Sequence, residues 1–271
     1  NYTMISSLLG GAVGLVRKPV LIVPGIIAGL LVTLSFFLFF ETTLFFLLDL
    51  VSNPNTLSGG GSILAVPYLI FASYPLEVLS LLAFAGLIIA TNIWVLQAFA
   101  IAEREGDNAR ISAVVAGTFS KIQRIVFTAI TIMCLVVLYI IVTFAYFALI
   151  DLISFIPLLP AVLVAAWAII SAYLYLKLLF FGTISVCEEK IKGKEALLKT
   201  WKWSSRKLIG ILVFSILVVI IGNFILGIGF TASDFFDETT GYLVILLFYS
   251  IGTAYSSFAF VKYYIHSKGS S

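Results

Sequence analysis

The residues able to do acid–base, nucleophilic or metal chemistry are few and scattered. The chain of 271 residues holds a single histidine, His266, so a zinc helix of the H-E-x-x-H type is out of reach. Its two cysteines, Cys134 and Cys187, lie within and at the end of apolar runs and read as small hydrophobes. No G-x-S-x-G elbow, phosphate-cradling loop or pair of intramembrane aspartates occurs. The stretch "SGGGS" over 58–62 reads as a flexible linker, and the scattered carboxylates lack the spacing of a calcium loop. The pattern predicts no catalytic residue, no metal ligand, no cofactor and no enzyme.

Polar groups set inside apolar runs are the better lead, because they are costly in hydrocarbon and turn toward the protein interior. They are Asn92 and Gln97 in one run, Glu103 at its end, Lys177 in another and Asn223 in a third. Two readings stand for the amides: hydrogen bonds between helices, or contact with a solute. Lys177 also has two. In a short helix its ammonium snorkels to the head groups. In a helix continuing to Cys187 it is buried and needs a partner, and Asn92, Gln97 and Glu103 are the expected ones, around a polar cavity open to the cytoplasm.

In the elements that carry these groups, apolar residues dominate: 62% of the chain is hydrophobic and only 11% is charged, with a mean hydropathy of +1.17. A water-soluble domain cannot bury so much apolar surface. Runs near the twenty or so residues that cross a hydrocarbon core begin at Val20, Val78, Ile125, Pro160, Leu208 and Tyr242. The expected fold is an all-α integral membrane protein with six transmembrane helices. Glu41, Asp49, Glu77, Asp151, Asp234, Asp237 and Glu238 fall at one set of ends, with no lysine or arginine among them. Every basic residue except Lys177 falls at the other. Excess Lys and Arg marks the cytoplasmic side, so both termini are expected there, in the cell (inner) membrane. No nucleic-acid partner is implied by a net charge of +3 distributed in this way.

Two stretches between spans are amphipathic. In "ARISAVVAGTFSKIQR", Ile111, Val114, Val115, Phe119 and Ile122 recur at helical spacing; in "KEALLKTWKWSSRK", Leu197, Leu198, Trp201 and Leu208 lie opposite Lys199, Lys202 and Arg206. Such helices lie in the interface, with Arg110, Lys121, Arg124, Lys194, Lys199, Lys202, Arg206 and Lys207 as candidate contacts to anionic lipid head groups. A shift of 85 positions sets Glu103 on Glu188, Ser120 on Ser205 and Lys121 on Arg206. "MISSLLGGAVGLVRKP" is a weaker third copy. The expected unit is one surface helix plus a transmembrane hairpin, repeated over 1–102, 103–187 and 188–266 of a single domain, 1–268. Residues 269–271 read as an appended tail, and the opening residues are not expected to be a signal peptide. Gly25 and Gly29, at G-x-x-x-G spacing, are expected at a close helix contact.

At "EALLKTW", Glu195 to Trp201, with Glu188, Glu189 and Gly193 before it and Arg206 and Lys207 after, the chain resembles a group of prokaryotic six-span proteins. These are related to the membrane domain found beside some glycerophosphodiester phosphodiesterases; Thr200 stands where serine is usual. The resemblance implies architecture and not phosphodiesterase activity, since no hydrolase domain is expected within these 271 residues. The three-hairpin plan is similar to that of mitochondrial carriers, but their proline-acidic-basic signature is absent. Two function classes fit: a non-catalytic membrane module that handles or organises lipid through a basic cytoplasmic face, or a transporter or channel for a small solute, ion or lipid. Polar residues clustered on facing helices would favour the second, and a sealed apolar bundle the first.

Overall fold

The computed structural model describes residues 2–17, 22–34, 74–105, 111–152, 158–188, 191 and 193–268. Among these the structure is helical throughout: α1 Tyr2–Arg17, α2 Ile22–Leu34, α3 Pro75–Glu105, α4 Ile111–Phe119, α5 Ile122–Leu152, α6 Leu159–Leu178, α7 Phe181–Cys187, α8 Lys194–Ser233 and α9 Glu238–Lys268. Five segments are long and apolar enough to cross a membrane: α3, α5, the α6–α7 pair, α8 and α9. They coincide with five of the six predicted spans. The sixth, expected from Val20 to Phe40, is represented by α2, and its remainder lies outside the described residues, as does the "SGGGS" stretch.

The outer surface of these helices is built of large aliphatic and aromatic side chains. On α8 alone Ile209, Ile216, Val219, Ile220 and Phe224 are about half exposed or more, while its buried face mixes the small Ala196, Thr200, Ser204 and Gly229 with Ile211, Phe214 and Val218. A chain in water would aggregate through such a surface. In lipid it is the favoured arrangement, since large apolar groups cost nothing against acyl chains and small ones let backbones approach.

The chain divides into two compact units, 1–32 with 90–128 and 175–271, and 33–89 with 129–174. In the second, α5 and α6 run antiparallel. Tyr139 donates to Ser171 at 2.7 Å and Tyr146 to the Leu163 carbonyl at 2.9 Å, with the Tyr146 ring stacked on Trp167 at 4.6 Å.

In the first unit α9 is the spine. Gly222 and Gly252 bring α8 close to α9, and α1 runs antiparallel to α9 with Gly10, Gly11 and Gly14 against Lys262, Ala259 and Phe258. The line continues in α2, where a Cβ at Gly25 would lie 2.5 Å from the Ser250 carbonyl oxygen and one at Gly29 would collide with the Ser250 hydroxyl. The α3 end packs through the Phe99–Phe258 stack at 5.1 Å and the Glu103–Lys262 ion pair at 3.5 Å. Asp237 caps α9, its carboxylate accepting the Thr240 hydroxyl at 2.6 Å and the Thr240 N–H at 3.2 Å.

Three breaks shape the unit. A turn at Ser120–Lys121 separates α4 from α5, and α8 is kinked where Lys207 leaves helical geometry at φ −130° and ψ 20°. Lys207 lies over the Trp203 ring at 5.7 Å and donates to the Ser267 carbonyl, which ties the kink to α9. The third break, at Leu179–Phe180, divides α6 from α7. Phe180 is fully buried there among Trp203, Phe260 and Tyr263, at centroid distances of 5.0, 5.0 and 5.7 Å.

The stretch before the kink shows three faces. Ala196, Thr200 and Ser204 are buried, with Ser204 donating to the Lys177 carbonyl at 3.0 Å. Leu198 and Trp201 face outward on a second side, and Lys202 and Arg206 on a third. In α1 the buried side is Ser7, Gly11 and Leu15, while Ile5, Leu9, Val13 and Val16 point outward. The apolar stripe expected from Met4, Ile5, Leu8, Ala12 and Leu15 is therefore split between the two sides, because helix contact selects small residues.

Candidate functional site

A cavity of about 500 Å³ lies in the first unit among α3, α6–α7, α8 and α9. Its hydrogen-bonding groups come from every wall: Asn92 on α3, Thr183 on α7, Ser215 and Asn223 on α8, Thr253 and Ser256 on α9. Among the described residues no charged side chain lines it. The asparagines are exposed at its margin and make no side-chain hydrogen bond among the described residues, so both amides are available to a ligand. Gly222 and Gly252 form the floor, where a Cβ at Gly252 would sit 3.5 Å from the Gly222 carbonyl oxygen. Tyr175 and Val219, also in the lining, are 62% and 57% exposed, so the cavity opens sideways onto the apolar outer surface.

A second cavity, an open groove of about 860 Å³ lined by α8 and the turn after it, begins at Asn223 and follows the C-terminal half of α8 past Gly227 and Thr231 to Phe235 and Phe236. Among the described residues it too has no charged lining.

The five polar residues singled out from sequence do not share one site. Asn92 and Asn223 meet across the first cavity. Lys177 is buried, at 2% exposure, but its ammonium donates to the Ser205 hydroxyl and lies 5.1 Å from the Trp201 ring. Both partners are on α8, whereas α3 was expected to supply them. Glu103 is paired with Lys262 instead. Gln97 is fully buried, and neither its amide nitrogen nor its oxygen has a hydrogen-bond partner. The physical reason is the long α6–α7 segment: it carries Lys177 to the kinked end of α8, whose small Ala196–Thr200–Ser204 face receives it.

The C-terminal ends of α7 and α9 and the N-terminal end of α8 are joined through Glu188. One of its carboxylate oxygens accepts from the Lys268 ammonium at 2.6 Å and the Tyr264 hydroxyl at 2.7 Å and lies 3.1 Å from the Lys199 ammonium. Burial alone would raise this carboxyl, but the hydrogen bonds from Lys268, Tyr264 and Lys199 outweigh it and hold it down at about 2. Beside it, Arg104 donates to the Cys187 carbonyl at 2.6 Å, and Arg124 to the carbonyls of Glu188 and of Ile191, the latter at 3.0 Å. The Cys187 and Glu188 carbonyls are at the C-terminus of α7 and that of Ile191 is in the link to α8, and two guanidinium groups suit both the acceptors and the negative end of the helix dipole.

Of the expected head-group contacts, Arg124, Lys199 and Lys207 are thus engaged within the protein, whereas Lys194, Lys202 and Arg206 are exposed. Lys121 sits in the α4–α5 turn, its pKa lowered by burial and by the nearby Arg104 and Arg124 charges. Arg110 lies outside the described residues. Sequence reading missed Thr183, Ser215, Thr253 and Ser256. A signal existed for α8: Ser215, Asn223 and Thr231 recur every eight residues, on one i+4 ridge that winds around the helix.

Long apolar helices with small-residue contacts, enclosing an uncharged polar cavity, define an all-α membrane-embedded protein. No known family, no curated protein and no solved structure matches the chain.

Proposed function

We propose that this is a non-catalytic, six-span membrane protein that handles lipid, taking the uncharged polar part of a membrane lipid into the cavity between Asn92 and Asn223. The observation that carries this reading is a ring of amides and hydroxyls from four elements opening onto an apolar surface. An uncharged polar group without hydrogen bonds in hydrocarbon costs roughly 4–8 kcal/mol. Groups already set in place offset much of that cost. A charged solute would find no counter-charge in the lining, which argues against ion transport through this cavity. The sideways opening favours an amphiphile that arrives from the bilayer over a solute from water.

On this reading both termini are cytoplasmic, and Lys194, Lys202 and Arg206 meet anionic head groups of the inner leaflet, each contributing about 1 kcal/mol. Trp201 and Leu198, exposed beside them, are then seated among acyl chains. The helix-plus-hairpin repeat is part of the proposal. It is supported by the α4–α5 turn at Ser120–Lys121 and the α8 kink at Lys207, which fall within two residues of one another under the 85-residue shift. The resemblance at "EALLKTW" to the membrane domain beside glycerophosphodiester phosphodiesterases fits the same architecture.

Native mass spectrometry of protein purified from vesicles of neutral and anionic lipids tests the assignment. Asn92→Leu with Asn223→Leu should lose retained neutral lipid. Lys202→Gln with Arg206→Gln should lose anionic lipid only. Equal retention of neutral lipid by the asparagine double variant and the unaltered protein would overturn the cavity assignment.

A further inference from the structure

The two cavities meet at Asn223, and together they follow α8 from Ser215 to Phe235 and Phe236. From Ser215 to Ser233 the helix rises about 27 Å, close to the roughly 30 Å of a bilayer's hydrocarbon core. One end of this track lies near the basic inner ends of the helices, beside Thr183 on α7, which closes at Glu188. The other reaches the acidic α8–α9 turn at Asp234 and Asp237. Between them Ser215, Val219, Asn223, Gly227 and Thr231 follow one i+4 ridge that winds around α8, with a polar side chain at every second step.

We infer that this track carries the head group of a neutral, hydroxylated lipid, such as a glycosyl diacylglycerol, between the two leaflets. The inference rests on the lipid-binding reading above and extends it from binding to movement. A head group of this kind crosses a pure bilayer slowly because its hydroxyls must give up their water with nothing in exchange. Along α8 they meet amides and hydroxyls in turn, while the acyl chains remain in the surrounding lipid beside Val219, Ile220 and Phe224. The uncharged lining selects the class of passenger: a phosphate or ammonium would cross without a counter-charge. No bond is made or broken and no energy source is involved, so the movement runs down the lipid's own gradient in either direction.

Gly227 provides a clean test. A Cβ there meets no atom within 4 Å, so a large side chain enters the outer cavity without disturbing the helix contacts. The full chain is reconstituted into phosphatidylcholine vesicles with a trace of acyl-labelled, fluorescent monoglucosyl diacylglycerol, and external dithionite is added. Protein-free vesicles should lose only the outer-leaflet half of the signal quickly. Vesicles with protein should lose nearly all of it. Gly227→Trp should return the trace to the protein-free level while the protein still retains neutral lipid in native mass spectrometry. Asn223→Leu should slow the second phase about tenfold. Fluorescent phosphatidylserine should not be accelerated.

A trace that stops at half with unaltered protein, or full loss with Gly227→Trp, would overturn the translocation. Equal acceleration of phosphatidylserine would overturn the head-group class. Lipid retained at the asparagines without movement would leave the binding reading intact and remove only this extension.

Discussion

At Glu188 one carboxylate oxygen serves two ammonium groups and a phenol, and its neighbouring carbonyls serve two arginines. The carboxyl is held at about 2, below its ordinary 4.5. A depressed folded-state pKa contributes stability that is fully present above the ordinary value and is lost as pH falls toward the folded one. Thermal unfolding in detergent, followed by tryptophan fluorescence, should therefore show Glu188 supporting the fold at neutral pH and losing its contribution between about pH 4.5 and 2. Glu188→Gln should unfold at lower temperature at pH 7, by about 1 kcal/mol after allowing for partial exposure, and should lack this acid-sensitive step. Equal midpoints for the two proteins at pH 7 would mean that solvent already satisfies the cluster. None of this was legible in the sequence. Lys199 follows Glu188 closely, but Tyr264 and Lys268 lie 76 and 80 residues away, and only the return of α9 to the end of α7 brings them to the same oxygen.

The helices themselves were largely legible, since span length and the placement of charge follow from hydrocarbon thickness alone. Their breaks were not. The α6–α7 division at Leu179–Phe180 contains neither Pro nor Gly, and its cause is the aromatic cluster that receives Phe180. Likewise, Asn92 and Asn223 could each be read as intramembrane polar residues, but their common cavity depends on helices from different hairpins. Helix contacts give the tests at this scale. Gly25→Ile places a Cβ 2.5 Å from the Ser250 carbonyl and 2.8 Å from the Ala254 methyl, neither able to yield. It should cost about 1–3 kcal/mol in detergent unfolding. Gly227→Ala, in open space, should be neutral or stabilising by up to about 1 kcal/mol. Asp237→Ala removes the α9 cap and should lower the unfolding midpoint slightly, by less than Gly25→Ile does. If the two glycine variants behaved alike, the close α2–α9 contact would be wrong.

For the molecule in its membrane, the prediction is orientation. In a background with Cys134 and Cys187 replaced, single cysteines at Ser58 and Thr239 should react with an impermeant thiol reagent on intact cells, and one at Lys194 only after the cells are opened. Reaction at position 194 from outside would reverse the topology drawn from the lysines and arginines. The role of α9 as spine has a consequence in time. Every helix that docks on it precedes it in the chain, so the ribosome releases α1, α2, α3, α7 and α8 into the bilayer before their shared partner exists. Until Glu238–Lys268 is inserted, the glycine faces of α1 and α2 have lipid where Phe258 and Ser250 will be, and Glu103 and Glu188 wait for Lys262 and Lys268. Chains stalled before Glu238 should thus be inserted yet unassembled, and more readily degraded by membrane proteases than full-length chains. Biogenesis would then proceed as storage of inserted helices, closed by a single late arrival.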